Sequence, residues 1–304
     1  ISLLFVDISK FPHLQYALAG CIVIFFIGLK DDILSISPLK KLIGELLATA
    51  FIVLFADIRF TSLHGFFGLY EISYIQSLIL SFFVITVIIN AFNLIDGVDG
   101  LSGSLAALAF VILGGWFFMN QRYELAIISS SMTGALGAFL LFNIWAKRRK
   151  VFLGDTGALF IGYLLAILII IFCEMNKLPN VTMPIHNVPV ISFTLLLIPL
   201  LDTARVFLIR ALQGRSPISA DKTHIHHYLL DLGFSHFHVT GILVITNLFF
   251  IILAYLLQHL NIYLLTSIIV LSALTLNSIP VFIYEKRLRK SHWNILKANK
   301  KNAA

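Results

Sequence analysis

The chain has 304 residues, of which 59% are hydrophobic and only 12% charged, and its mean hydropathy is +0.95. Soluble domains carry about 25% charged residues, so a water-soluble globule is excluded and a membrane-embedded bundle is expected. The net charge of +7 would suit nucleic acid, but basic residues in a membrane protein mark cytoplasmic loops, and no nucleic-acid partner is expected.

Apolar runs near the roughly 20 residues a bilayer span needs recur along the whole length. Nine helices are expected, at about 13–29, 41–56, 75–94, 102–119, 124–142, 158–173, 190–211, 239–257 and 262–284. No polar stretch between them is long enough to enclose its own core. The fold class is therefore all-α, a polytopic transmembrane helical bundle, and residues 1–304 form a single integral-membrane domain. Cys21 and Cys173 both lie in apolar runs and read as small core residues, with neither a disulfide nor a thiolate metal site implied. The sequence starts at Ile1 without a signal-peptide pattern.

The loops alternate between two sides. One set holds 30–41, 93–103, 143–157, 213–238 and the tail from Glu285. Of the 22 Lys and Arg residues, only Lys10, Arg59, Arg122 and Lys177 fall on the opposite side. That asymmetry assigns the first set to the cytoplasm and starts Ile1 outside it. The basic tail, 286–301, reads as a topology signal that also meets anionic lipid.

The first chemistry-bearing group is Asp31-Asp32, at the end of the first helix. Two adjacent carboxylates repel, and both stand at the unfavourable end of the helix dipole. A cation or a basic neighbour would relieve that cost, and Lys40 and Lys41 open the next helix. A solvated acidic turn is the plainer alternative. The third helix closes on Asn90-Ala-Phe-Asn93-Leu-Ile-Asp96-Gly-Val-Asp99-Gly, with polar groups every three residues. Four acid or amide groups at a membrane edge are costly without a purpose. Hard oxygen donors of this kind suit magnesium, which keeps waters and shares phosphate oxygens. Gly154-Asp155-Thr156-Gly157 opens the sixth helix. Its amides favour phosphate, or Asp155 simply caps the helix. Lys147 to Lys150 just upstream are basic. The loop after the seventh helix holds Asp221 and His224-Ile-His226-His227. Three histidines raise the possibility of zinc, but the hard acids nearby and the lack of a close cysteine favour phosphate binding or acid–base work. His64, His186, His236, His238, His259 and His292 read as structural or solvated.

These four groups resemble the motifs of the polyprenyl-phosphate N-acetylhexosamine-1-phosphate transferases, that is, glycosyltransferase family 4. They occur in order as Gly28-Leu-Lys-Asp31-Asp32 with Lys41, Asn90 to Leu101, Phe152-Leu-Gly-Asp155-Thr-Gly, and Ser216 to His227. The His-Ile-His-His form with its Ala-Asp-Lys lead is similar to the branch that transfers N-acetylglucosamine 1-phosphate to undecaprenyl phosphate. The resemblance implies a bacterial inner-membrane enzyme with its active site on the cytoplasmic face. It would take UDP-N-acetylhexosamine and undecaprenyl phosphate in the bilayer, release UMP, and serve the first step of a cell-surface polysaccharide pathway.

The resemblance further implies that Asp155 is a magnesium ligand, with manganese as an alternative ion. It makes Asp31 and Asp32 the acid pair that engages the lipid phosphate or acts as base, and Lys41 an active-site lysine. Asn93, Asp96 and Asp99 match the nucleotide-diphosphate site, with Asp99 near the uracil. Phe152 matches a ring that stacks on uracil, Asn143 a polar partner there, and His224, His226 and His227 the groups around sugar and diphosphate. A homodimer stays open, as do the peptidoglycan branch, which transfers phospho-N-acetylmuramoyl-pentapeptide, and an ion-coupled transporter, which would place its acids near mid-span. An earlier helix and a Pro-x-x-Gly-Gly segment found in the family are not seen here, and ten or eleven helices are expected of a full-length protein.

Overall fold

The computed structural model describes residues 13–146, 148–214 and 224–302, with side chains of the last helix described as far as residue 289. Among these the chain is helical, and an isolated bridge between Ser62 and Glu71 is the only β pairing. Eleven α-helices follow one another: α1 (Leu14–Leu34), α2 (Pro38–Ala50), α3 (Tyr74–Ile95), α4 (Leu101–Met119), α5 (Tyr123–Leu140), α6 (Gly154–Met175), α7 (Val188–Leu195), α8 (Leu197–Leu212), α9 (Ile225–Asp231), α10 (His236–Leu256) and α11 (Ile262–Asn302). Lys147 and the stretch holding Arg215, Asp221 and Lys222 lie outside the described residues.

Local sequence sets several helix starts. Ser37 is extended and Pro38 takes the first helical position of α2, where its missing N–H costs nothing. Ser73 and Gln76 close a reciprocal capping box on α3. Ser235 accepts from the amide of His238 at the start of α10. Both α2 and α5 run on into a π-helical turn, Phe51–Phe55 and Leu141–Trp145. The second of these carries Asn143, and such turns often mark functional positions.

Among the described residues, six helices are long and apolar enough to cross a membrane, or seven spans if the bent pair α7–α8 counts as one. Their outer faces stay apolar: Phe83 on α3 is 65% exposed and Ile245 on α10 is 68% exposed. That pattern matches lipid contact. α6 is the most buried span and packs against α1 and α3, so it forms the axis of the bundle.

The expected single helix at 190–211 breaks at Leu196, where α7 and α8 meet at 82°. Pro199 supplies the reason. It cannot donate to the carbonyl of Leu195, and its ring clashes with it. The freed groups find Asn247, fully buried on α10. Its amide nitrogen donates to the carbonyls of Leu195 at 3.2 Å and Thr194 at 3.5 Å, and its oxygen accepts from Ile198 N at 3.1 Å. Broken helices persist at membrane depth only when their backbone groups are repaired in this way. The segments expected as spans at 13–29 and 41–56 become α1 and α2 with its π-turn, and both carry charged residues at the end facing the polar site.

The loops gather at two opposite ends. At one end Glu174 accepts from Thr61 N at 2.7 Å and Thr61 Oγ1 at 2.6 Å, and Trp116 Nε1 donates to Met183 O at 2.9 Å. The other end collects the described residues of the four motifs.

Candidate active site

Asp31 and Asp32, adjacent in the last turns of α1, face different partners. Asp31 accepts from Ile36 N at 2.8 Å and pairs with Lys41 Nζ at 3.0 Å. Lys41, with 12% of its side chain exposed, also reaches Asp155 Oδ1 at 2.5 Å and Asn93 Oδ1 at 3.0 Å. Asn93 in turn donates from its amide nitrogen to Asp155. Three of the four sequence motifs thus meet at one ammonium group.

Asp32 turns the other way. It accepts from the backbone N–H groups of Asp155 at 2.8 Å and Thr156 at 3.0 Å, and from Thr156 Oγ1 at 2.5 Å. The amides that open α6 are therefore capped by Asp32, and Asp155 makes no cap of its own. Gly28 permits this approach, because a Cβ there would lie 2.4 Å from Thr156 Cα. Desolvation tends to raise the Asp32 pKa, but the Thr156 hydroxyl and amide, the Asp155 amide and the charge of Lys41 outweigh it and hold the pKa low. A carboxylate held this way is a poor proton acceptor.

Asp96 closes α3 and accepts from Ser102 Oγ at 2.7 Å. Burial pushes its pKa up to about 7, with Asp155, Asp32 and Asp99 adding to the rise and Ser102 opposing it. Asp99 pairs with Lys150 Nζ at 2.5 Å and His236 Nδ1 at 3.1 Å, and its carbonyl accepts from Thr240 Oγ1 at 2.7 Å. Lys150 also lies 5.4 Å from the ring centre of Phe152, which is 72% exposed. Asp99, Lys150 and Phe152 thus form one exposed platform of acid, base and aromatic ring. Asn143 stands behind it, donating to Val151 O at 2.8 Å.

The histidines divide. His224 Nδ1 lies 2.8 Å from Asp202 Oδ2, and the other oxygen of Asp202 accepts from Ile225 N at 2.9 Å. His226 stacks near His224, with ring centres 5.5 Å apart, and near His227 at 4.3 Å. Its Nε2 abuts Gly97, where a Cβ would come within 2.8 Å. The α3–α4 turn and α9 therefore meet only because position 97 has no side chain. Burial drives the His226 pKa down to about 4, against the opposing pull of Asp202.

Three participants were not legible as site residues. Asp202 and Glu45 sit inside apolar runs, with no motif around them. His236, expected to be structural or solvated, contacts Asp99. Its position three residues before the apolar run that opens at Val239 was the available signal.

Among the described residues, no group of three or more His, Cys, Asp and Glu could hold a metal ion. Magnesium needs less, one or two carboxylates plus waters and substrate phosphates. Asp155 keeps 33% of its side chain exposed beside Asp31, and this oxygen-rich donor set fits such an ion.

The architecture defines a polytopic helical membrane protein with an acid-, lysine- and histidine-lined site at one end. The sequence model of glycosyl transferase family 4 matches residues 14–173, more than half of the chain, and the protein belongs to that family. It is 32% identical over 227 residues to the undecaprenyl-phosphate alpha-N-acetylglucosaminyl 1-phosphate transferase of Escherichia coli O157:H7, covering 74% of this chain and 60% of the relative. The enzyme of the same name from Yersinia pestis is 30% identical, covering 75% and 61%. The decaprenyl-phosphate N-acetylglucosaminephosphotransferase of Mycolicibacterium smegmatis is 31% identical, covering 70% and 56%. The chain spans about 60% of the length of the curated relatives it matches.

Proposed function

We propose that this site moves N-acetylglucosamine 1-phosphate from UDP-N-acetylglucosamine to undecaprenyl phosphate, releasing UMP, at the cytoplasmic face of a bacterial inner membrane. The observation that carries the proposal is Lys41, shared by Asp31, Asp155 and Asn93 at the meeting point of α1, α2, α3 and α6. The names of the relatives support the acceptor and the sugar.

Both substrates are anions, so their approach requires preorganised positive charge. Lys41 supplies part of it. A magnesium ion held by Asp155, with Asp31 close by, would neutralise phosphate oxygens when bound. The uracil would lie on Phe152 within reach of Asp99 and Lys150, and His227 would face the sugar diphosphate with the buried His226 packed against it. An oxygen of the lipid phosphate attacks the β-phosphorus. The bond from that phosphorus to the bridging oxygen breaks, and UMP leaves with the electron pair. The acceptor is already an anion, so no proton need be removed before attack. That fits an acid pair in which Asp32 is committed to α6 and Asp31 to Lys41.

The acids of the sequence motifs lie at helix ends, with Glu45 and Asp202 inside α2 and α8, and the names of the relatives do not favour an ion-coupled transporter. Membranes containing the protein, given UDP-N-acetylglucosamine, undecaprenyl phosphate and magnesium, are expected to release UMP, and Asp155→Ala to abolish it. Turnover only with UDP-N-acetylmuramoyl-pentapeptide would move the donor assignment. A phosphoryl group trapped on Asp31 or Asp32 would defeat direct attack.

A further inference from the structure

Below Lys41 a second polar contact joins the same two helices. Glu45 is one helical turn from Lys41 on α2, and Asn90 is one turn from Asn93 on α3, spacings that put each pair on one helix face. Glu45 is 1% exposed. Its Oε2 accepts from Asn90 Nδ2 at 2.5 Å, and Asn90 also donates to Thr86 O at 3.0 Å. Glu45 Oε1 is buried with no hydrogen-bond partner among the described residues. Two parallel rungs thus link α2 and α3: Lys41 to Asn93 at the site, and Glu45 to Asn90 beneath it.

A buried carboxyl with one unpaired oxygen is an expensive way to hold two helices together. An apolar pair would pack there at less cost. The lower rung makes sense through the upper one. Lys41 must hold its ammonium at one point between Asp31 and Asp155, on a long stem with several rotatable bonds. Pinning α2 to α3 one turn below fixes the base of that stem and the register of Asn93 together.

We propose that Glu45 and Asn90 are positioning residues that hold Lys41 and Asn93 in register for the transfer reaction. The proposal rests on the function above for its kinetic consequence but not for its structural one. The test uses the full chain in detergent, with Glu45→Leu, Glu45→Gln and Asn90→Ala. The first readout is the labelling rate of Lys41 by an amine-reactive reagent, taken as a ratio to Lys40, an exposed neighbour on the same helix. Glu45→Leu and Asn90→Ala are expected to raise that ratio several-fold, and Glu45→Gln to keep it near wild type, because the glutamine oxygen still accepts from Asn90. An unchanged ratio in Glu45→Leu and Asn90→Ala overturns the proposal whatever the activity. The second readout is steady-state kinetics with UDP-N-acetylglucosamine and undecaprenyl phosphate. Misplacing a site group by about 1 Å costs up to about 100-fold in rate, so Glu45→Leu is expected to lower kcat by about 10–100-fold with little change in either KM. A change confined to KM, with kcat at the wild-type value, overturns the positioning role. A wild-type chain without turnover defeats the functional assignment, and the labelling ratio then decides the positioning role alone.

Discussion

Asp32 caps α6 through Thr156: the carboxylate takes both the backbone N–H at 3.0 Å and the hydroxyl at 2.5 Å of that residue. Its neighbour Asp31 shares none of this and goes to Lys41. The acid pair thus divides into one acid that caps α6 and one paired with Lys41. Loss of a helix N-cap costs about 1 kcal/mol, and an anion at a helix N-terminus adds about 0.3–1 kcal/mol. Asp32→Ala is expected to lower the unfolding midpoint in detergent, with Thr156→Val causing a smaller loss. Asp31→Ala removes the acceptor of Ile36 N and one partner of Lys41 but no α6 cap; because Lys41 keeps Asp155, it is expected to lower the midpoint less than Asp32→Ala while reducing UMP release. Equal thermal losses from both aspartates would refute this division.

Asp96 predicts a pH response of one sign. Its pKa is raised by burial to about 7, above the value near 3.8 of an unfolded aspartate. Between those values the folded chain holds a proton that the unfolded chain has released. Its contribution to stability is therefore full below about pH 4 and is lost as pH rises through about 7. Asp96→Asn is expected to flatten the fall in unfolding midpoint between about pH 4 and 7. Differential scanning fluorimetry across that range checks it, and an unchanged slope would count against the assignment.

His226 predicts the opposite slope. Its pKa is pushed down by burial to about 4, while an unfolded histidine titrates near 6.5. The unfolded chain binds the extra proton in that window, so stability is present above about pH 6.5 and drains away toward pH 4. At about 1.4 kcal/mol per pKa unit, the full loss is on the order of 3 kcal/mol. His226→Gln is expected to remove most of the acid-side decline. Chemical denaturation at pH 5 and pH 7 measures it directly.

Phe152 is expected to carry much of the uridine affinity. Removing one aromatic stacking partner of a base costs about 1–3 kcal/mol, or roughly 5–150-fold. Phe152→Ala should weaken UMP binding by that factor in isothermal titration, with Phe152→Leu intermediate. Lys150→Ala should weaken it less, because Lys150 is partly exposed and shares Asp99 with His236. Wild-type affinity in Phe152→Ala would move the nucleobase elsewhere.

Asn247 tests the repaired break between α7 and α8. Replacing it with Leu leaves the carbonyl of Leu195 and the N–H of Ile198 without their partner. Each unsatisfied buried group costs about 1–3 kcal/mol. A large drop in unfolding midpoint is expected, and Pro199→Ala in the same background is expected to recover part of it by letting the helix close.

The apolar runs, their lengths and the placement of lysine and arginine determined by themselves that this is an all-α membrane bundle, because bilayer thickness and backbone hydrogen bonding leave few other options. The order of the four polar motifs was also legible, since charged groups stand out at the edges of apolar runs. Tertiary structure alone decided which acid does what. Residues 31 and 32 are neighbours in sequence but about 100° apart around a helix, so one meets α2 and the other α6. The same holds for Glu45, Asp202 and Asn247, single polar residues whose partners lie on other helices. Only packing brings those partners within reach, and only then does a polar side chain inside an apolar run acquire a role.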